Sequence, residues 1–416
     1  MLNAVEKIEP KDVRLARRDF PIFQQEMNGQ PLVYLDTASS AQKPQSVIDK
    51  MKHVMEGYYA NIHRGLYEFS QITTSEYEAV RAKVAAFIHA PSEDNIVFTR
   101  NATEAINLVA QSWGRRFLSE GDEILISEME HHANIVPWQL LRDQTGVVLK
   151  VVKVTDNGEL DLDDLQSKLS KRTRLVSIVH ISNSLGTVNP VQKIREMVKA
   201  YDANIRVLFD GSQAVVHGGA DMRVIDPDFY VFTGHKLYGP SGIGVLYGEI
   251  DLLNQMPPYQ GGGDMIDTVT FDNTTYKQAP YKFEAGTPAI LEVIGLGAAL
   301  DYLGQYSNLD IYDHEQELLR HMTDEIKLID NINISGQASD KAGIISVYFS
   351  GVHMSDVAMI LDQQGVAVRS GHHCCMPLME RFGIEGTLRM SFGMYNNHED
   401  VERAVAALQK AMRMLA

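Results

Sequence analysis

Cysteine is almost missing from this chain: two residues in 416, Cys374 and Cys375, side by side near the C-terminus. A bridge between neighbours strains the peptide joining them, so no disulfide framework supports the fold. Basic charge is short as well. The 54 acidic residues outnumber the 38 lysines and arginines and leave a formal net charge of -16. A nucleic-acid surface needs clustered Lys and Arg, and an anionic membrane attracts the same charges, so both kinds of partner are disfavoured. No apolar run approaches the ~20 residues of a membrane span. The N-terminus, MLNAVEKIEPKDVRLARRDF, lacks the apolar block of a secretory signal, and its mixed charges are unlike a mitochondrial leader. A cytoplasmic protein is expected. Internal repeats, low-complexity tracts and long linkers are missing too.

What is present is ordinary globular material, 44% hydrophobic and 22% charged, in a chain too long for a single core. From residue 95 onward, short apolar runs alternate with helical patterns. The spacing predicts strands at 95–98, 123–127, 148–152, 175–181, 206–209, 229–233 and 244–247. Helices are expected between several of them, at 103–118, 135–142 and 191–201. In the first, Ile106, Val109, Ala110, Trp113 and Phe117 recur at helical spacing. Near-continuous apolar strands separated by helices imply a largely parallel sheet covered on both faces. Beyond about residue 295 the pattern changes to helices at 290–306 and 311–328, a strand at 343–349, a helix at 355–364, a short strand at 366–368 and a last helix at 399–415. The expected division is an N-terminal segment (1–25) packing near the small domain, a large domain (26–295) and a smaller C-terminal α+β domain (296–416). Chemistry in such a protein belongs at the strand C-termini and the domain cleft.

Asp210 follows the strand 206–209. Most strand-end aspartates are turn residues, but the next strand, 229–233, delivers TGHKLYGPSGIG with Lys236 on a glycine-bracketed loop. A lysine carried into a cleft can lose its proton and form an imine with an aldehyde cofactor. Pyridoxal 5′-phosphate needs an imine lysine, an acid at its pyridine nitrogen, a phosphate cradle and a ring-stacking partner. Lys236, Asp210 and His131 are candidates for the first, second and fourth. The turn Arg100-Asn101-Ala102-Thr103, opening a helix, offers free backbone N–H groups to a phosphate, and Thr233 and His235 can add donors. Taken singly, each of these signals is weak.

Longer motifs carry more. DGSQAVVH (210–217) and FTGHKLYGPSGIGVLY (232–247) resemble the class V aminotransferase family of fold-type I pyridoxal-phosphate enzymes. LDTASSAQKP (35–44), MEHHANIVPWQ (129–139), ISNSLGTVNP (181–190), FEAGTP (283–288) and RSGHHCCMPLM (369–379) are similar to the SUF-type, or group II, cysteine desulfurases. The resemblance runs from about residue 18 to the C-terminus. It implies an α/β fold whose large domain holds a mainly parallel seven-stranded sheet sandwiched by helices, beside a smaller C-terminal α+β domain. It also implies Lys236 as the imine lysine, Asp210 as the pyridinium partner and His131 as the stacking residue. Gln213, aided by Asn183, would bond the cofactor phenolate oxygen, and Thr103, Thr233 and His235 its phosphate. Thr287 would reach the phosphate of the neighbouring subunit, making a homodimer with shared active sites. Ala102 stands where many relatives have a hydroxyl residue, and backbone donors suffice there.

The sequence Ser370-Gly371-His372-His373-Cys374-Cys375-Met376-Pro377 follows the short strand 366–368. Four adjacent ligand-type residues cannot easily wrap one tetrahedral ion, so no metal is expected. Inert packing is the other plain reading, which a loop flanked by Gly and Pro does not favour. A nucleophilic thiol fits better, with His372, His373 and Arg369 as sources of positive charge that favour the thiolate. In the resembling enzymes the cysteine of GHHC forms the persulfide, which maps to Cys374. Cys375 stands where a small residue such as alanine is expected, either as an inert hydrophobe or as a second thiol. Arg389 offers a fork for a substrate α-carboxylate, and His63, Arg64 and Arg369 are expected near the cleft. The implied reaction converts L-cysteine to L-alanine and passes sulfur to a SufE- or SufU-type acceptor for iron–sulfur cluster assembly. The alternatives are selenocysteine lyase activity on the same scaffold, another pyridoxal-phosphate reaction, or a non-catalytic scaffold.

Overall fold

The computed structural model describes residues 10–415, so residues 1–9 of the expected N-terminal segment lie outside the described residues. The apolar runs read from the sequence become one seven-stranded sheet in the order Ile96–Thr99, Gly244–Gly248, Phe229–Thr233, Arg206–Asp210, Thr173–Val179, Glu123–Ser127, Val148–Val152. Only Gly244–Gly248 runs against its neighbours; the other pairings are parallel. Every residue of Ile96–Thr99, Glu123–Ser127 and Phe229–Thr233 is buried, which is why these strands read as unbroken apolar runs rather than alternating ones. Two apolar clusters flank the sheet. One gathers Leu125, Val176, Val207, Tyr230 and Val245; the other gathers Val97, Ile124, Leu208, Val231 and Leu246. Alternate residues of the same strands thus serve opposite faces.

The helices follow their apolar stripes. Val191–Tyr201 buries Val191, Ile194 and Val198, one turn apart. The single helix expected over 103–118 is instead Ala102–Leu108, then a π-helical turn at Val109–Gly114, then Arg115–Phe117. Within the wider turn Ala110 and Trp113 stay buried while the Ser112 hydroxyl reaches the Pro257 carbonyl. The helix expected at 135–142 begins as a 3-10 turn, His132–Asn134, and continues as Val136–Thr145. Gly146 ends it at φ +77°, a left-handed cap that glycine adopts freely. Two helices without a clear sequence signature, Gln45–Gly57 and Glu68–Phe87, pack on Ile290–Leu303.

The C-terminal unit is a four-stranded antiparallel sheet, ordered Ile332–Ser335, Ile344–Phe349, Thr387–Ser391, Arg369–Gly371. Asn308–Ile326, Met354–Gln363 and His398–Leu415 supply Leu318, Met322, Leu361 and Leu408 to its core. The strand expected at 366–368 is shorter, Val366–Ala367, and pairs in parallel with Val33–Tyr34. The chain resumes as Arg369–Gly371 in the other sheet, which aims the segment that follows at the parallel sheet's C-terminal edge. The N-terminal segment also packs here. Phe20 meets the Tyr238, Tyr302 and Tyr395 rings edge-on, and Arg17 pairs with the buried Asp400 at 2.9 Å. Among the described residues no helix is long and apolar enough to cross a membrane.

Candidate active site

Two neighbouring parallel strands deliver the central pair. Asp210 closes Arg206–Asp210 and Thr233 closes Phe229–Thr233, so both emerge at the same edge of the sheet. Asp210 is buried, and its Oδ1 accepts from the Ser212 amide at 3.0 Å and the Ser212 hydroxyl at 2.6 Å. Beyond Thr233 the chain closes on itself. The Gly234 amide bonds the Ile243 carbonyl, and the Leu237 and Gly239 amides bond the Gly234 carbonyl. Tyr238 sits in the left-handed region (φ +59°), held there by complete burial and by the Met394 amide, which donates to its hydroxyl. That loop sets Lys236 at the base of a cleft of about 200 Å³. Loss of water around its amine pushes the pKa down to about 8, against the pull of nearby Asp210.

His131 lines the same cleft from the turn after Glu123–Ser127. Burial, reinforced by the Lys236 charge, lowers its pKa to about 4, so the ring is neutral near pH 7. Its Nδ1 accepts from the Ala133 amide at 3.0 Å, which leaves the proton on Nε2. The turn is rigid. Below it, buried Glu130 accepts from Ser127, Asn134 and the Val179 amide, and Asn134 accepts from Trp138 and Ser177. Burial pushes the Glu130 pKa up to about 8.

Asn101, Ala102 and Thr103 line the cleft at the start of their helix. Gly244 on the adjoining strand lies so close that a Cβ there would meet Asn101 backbone atoms at 2.4–2.8 Å. Gln213 donates through Nε2 to the Ala38 carbonyl at 2.8 Å, while its Oε1 is buried without a partner. Asn183 turns its amide to the cysteine loop, donating to the His373 carbonyl (2.8 Å) and accepting from Cys375 Sγ (3.3 Å). Arg389 is buried on Thr387–Ser391. It donates to the Asn183 carbonyl at 2.8 Å, to Asp36 at 3.1 Å and to Ser39, and its Nε has no partner. Asp36 also takes Arg369, at 3.5 Å.

Cys374 reaches this cleft half-buried, on a segment where Gly371, His373 and Cys374 all have positive φ. Of the three expected charge sources, His373 is not one. It is buried against Thr387, and burial, reinforced by Arg389, pushes its pKa down to about 3, so it is neutral. Cys375 is fully buried, and burial lifts its thiol to about 12, which disfavours its thiolate in the folded protein.

The cleft therefore brings together Lys236, Asp210, His131, Gln213, Asn183, Ala102, Thr103, Thr233, His235, Arg369, Arg389 and Cys374. Three expected residues stand apart, one of them Arg64, which is exposed with its Nε 3.8 Å from Asp264. Thr287 lines an adjoining cavity of about 820 Å³ with Arg100, Tyr259 and Glu284, and Asn101 and His235 border both spaces. His63 is outside either one, its Nε2 2.8 Å from Glu78. Residues that sequence reasoning did not single out also build the site. Ser212 orients Asp210, and Asp36 balances Arg389; both lie inside motifs quoted above, which was the available signal. The set fits pyridoxal 5′-phosphate. An amine that sheds its proton near pH 8 faces a carboxylate for the ring nitrogen, and two polar atoms, Gln213 Oε1 and Arg389 Nε, are buried without protein partners.

The model of the family described as "Aminotransferase class-V" matches residues 33–404. A protein of Yersinia pseudotuberculosis named cysteine desulfurase is 49% identical over 404 residues, 97% of this chain and 99% of that protein. Among solved structures, a cysteine desulfurase of Escherichia coli in its S-sulfonic acid form superposes with a TM-score of 0.90 at 38% identity, covering 96% of this chain and 98% of that one. The apo structure of a cysteine desulfurase from Thermococcus onnurineus NA1 gives 0.91 at 34% identity, with coverage of 96% and 98%.

Proposed function

Because this chain belongs to the class V aminotransferase family, we propose that it works as a cysteine desulfurase, turning L-cysteine into L-alanine and leaving the sulfur on Cys374 as a persulfide. Pyridoxal 5′-phosphate is its cofactor; when bound, it supplies an aldehyde that takes up the substrate amine and a ring that draws electron density from Cα. The observation that carries this reading is a single cleft lined by Lys236, Asp210, His131, Arg389 and Cys374.

Lys236 would hold the cofactor through Nζ. Once free, that amine, with its pKa lowered to about 8, takes the Cα proton. Asp210 keeps the ring nitrogen protonated, its carboxylate steadied by Ser212. His131 covers one ring face, its proton on Nε2. The Gln213 Nε2 has a second N–H for the phenolate oxygen, with Asn183 beside it. Ala102, Thr103, Thr233 and His235 surround the phosphate position, and Thr287 serves the neighbouring subunit's. The Arg389 fork takes the substrate α-carboxylate, with Arg369 adding charge at the rim and His63 a more distant contributor. The Cys374 thiolate attacks the substrate sulfur. An S–S bond forms and the Cβ–S bond breaks, its electron pair passing to the carbon skeleton; a proton delivered to Cβ and the return of one from Lys236 to Cα then complete alanine. L-cysteine plus a thiol becomes L-alanine plus a persulfide, with no outside oxidant or reductant.

The finer parts of the proposal rest on the quoted motifs. They are the SUF-type subclass, a homodimer with shared sites, a SufE- or SufU-type acceptor feeding iron–sulfur assembly, and a cytoplasmic setting. The exposed apolar run Leu66, Tyr67 and Phe69 supports a second copy as the cover for that surface. The division at 1–25, 26–295 and 296–416 belongs to the same proposal. The deciding experiment incubates the purified holoenzyme with L-cysteine, assays alanine and maps the persulfide by mass spectrometry. Alanine appearing without sulfur on Cys374 sinks the mechanism. Selenocysteine lyase activity is the second reading, since the Lys236 constellation is complete without Cys374. Cys374→Ala that loses cysteine turnover and keeps selenocysteine turnover identifies a dual-substrate enzyme.

A further inference from the structure

The turn that places His131 in the cleft continues into His132, a residue that no step above uses. The His132 amide donates to the Cys374 carbonyl at 2.8 Å. Its ring Nε2 accepts from the Met376 amide at 3.2 Å. Its ring also lies 5.7 Å from the His372 ring, the planes inclined by 35°. The His372 Nδ1 in turn accepts the Cys374 amide at 3.1 Å. One histidine thus grips both ends of the Cys374–Met376 segment, and its ring lies beside the ring that holds the Cys374 amide.

That segment needs a grip. His373 and Cys374 are consecutive non-glycine residues in the left-handed region, at φ +52° and +57°, and Gly371, two residues before them, is at +118°. Such backbone persists only where surrounding contacts over-determine it. The other contacts on the loop hold different atoms. Asn183 takes the His373 carbonyl and the Cys375 thiol, and Thr387 takes the His373 ring. Among the described residues, the Cys374 carbonyl accepts its hydrogen bond from His132 alone.

We propose that His132 is a positioning residue, a latch tying the Cys374 loop of the C-terminal unit to the turn that presents His131 on the cofactor face. Because His131 and His132 are consecutive, one rigid turn fixes where the cofactor ring sits and where the thiol sits relative to it. The proposal rests on the reading of Cys374 as the nucleophile. Displacing a reacting group by about 1 Å can cost ~100-fold in rate, so a slackened latch should be visible in the chemistry.

The test compares the holoenzyme with His132→Ala, which keeps the backbone N–H but loses the ring acceptor, and with His132→Gln, whose amide oxygen can accept from Met376. Three readouts are taken: iodoacetamide alkylation of Cys374, persulfide formation from L-cysteine, and the visible absorbance of the bound cofactor. In His132→Ala, alkylation should rise several-fold and persulfide formation fall on the order of tenfold, with the cofactor absorbance unchanged; His132→Gln should restore most of both. Unchanged alkylation and persulfide rates in His132→Ala overturn the latch. Should that variant not fold, hydrogen exchange over the 372–379 peptide of the parent protein decides: slow exchange supports the latch, and exchange at the rate of an open loop overturns it. If the parent releases alanine and carries no sulfur on Cys374, the nucleophile reading fails first, and the alkylation comparison still reports separately whether the grip exists.

Discussion

At the residue scale, the chemistry turns on how far burial moves individual protons. Lys236 ordinarily titrates at 10.5 and here at about 8, because water is withdrawn from its amine. The sign of the consequence is definite. In the cofactor-free protein between about pH 8 and 10.5 the unfolded chain binds a proton that the folded chain has released, so this group makes stability rise with pH across that window. Below about 8 both states carry the proton and the penalty of burying it is fully present. Covalent capture of pyridoxal phosphate by the apoprotein should therefore accelerate through a midpoint near pH 8, followed by absorbance in a stopped-flow series. A midpoint near 10.5 would show that Lys236 is not desolvated. His373 makes the opposite point: charge expected beside Cys374 from its sequence position is removed by burial, which only the three-dimensional neighbourhood reveals.

Among the secondary-structure elements, what the sequence made legible follows from how each is buried. The central strands were readable to within a residue or two because their flanking clusters demand apolar side chains at every position; Glu123–Ser127 and Phe229–Thr233 matched their expected bounds. Arg369–Gly371 and Thr387–Ser391 were missed because site residues interrupt their apolar pattern: Arg369 and Arg389 face each other across that pair of strands. Gln45–Gly57 hides because it buries only Val47 and Val54 in thirteen residues. Of the site, the long motifs contain the cleft residues Lys236, Asp210, His131 and Cys374. Asp36, Ser212 and His132 were not singled out, since their contacts join segments far apart in the chain or depend on the local turn. The strand–helix junction at Asn101 yields a prediction. Gly244→Ala places a methyl group against the Asn101 backbone, which cannot rotate away as a side chain could. The phosphate turn should shift, and cofactor affinity should fall by about tenfold or more in equilibrium titration. Unaltered affinity would mean that the turn does not bind the phosphate.

For the molecule as a whole, the C-terminal unit and the cofactor sheet are bound together by the N-terminal segment. Phe20 is fully buried among Tyr238, Tyr302 and Tyr395, which come from the lysine loop, the Ile290–Leu303 helix and the C-terminal unit. Phe20→Ala should cost ~3–5 kcal/mol of folding free energy, read by urea denaturation. A cost under about 1 kcal/mol would place it at the level of a surface substitution and remove the segment's bracing role. The two adjacent sulfurs have a final consequence for anyone handling the protein. Cys374 is reachable in the native state and Cys375 is sealed, its sulfur held against Asn183. A thiol reagent applied to the cysteine-reduced, native chain should count one site quickly and the second only as the structure opens. The second count is a built-in gauge of unfolding, and the first a place to attach a single probe.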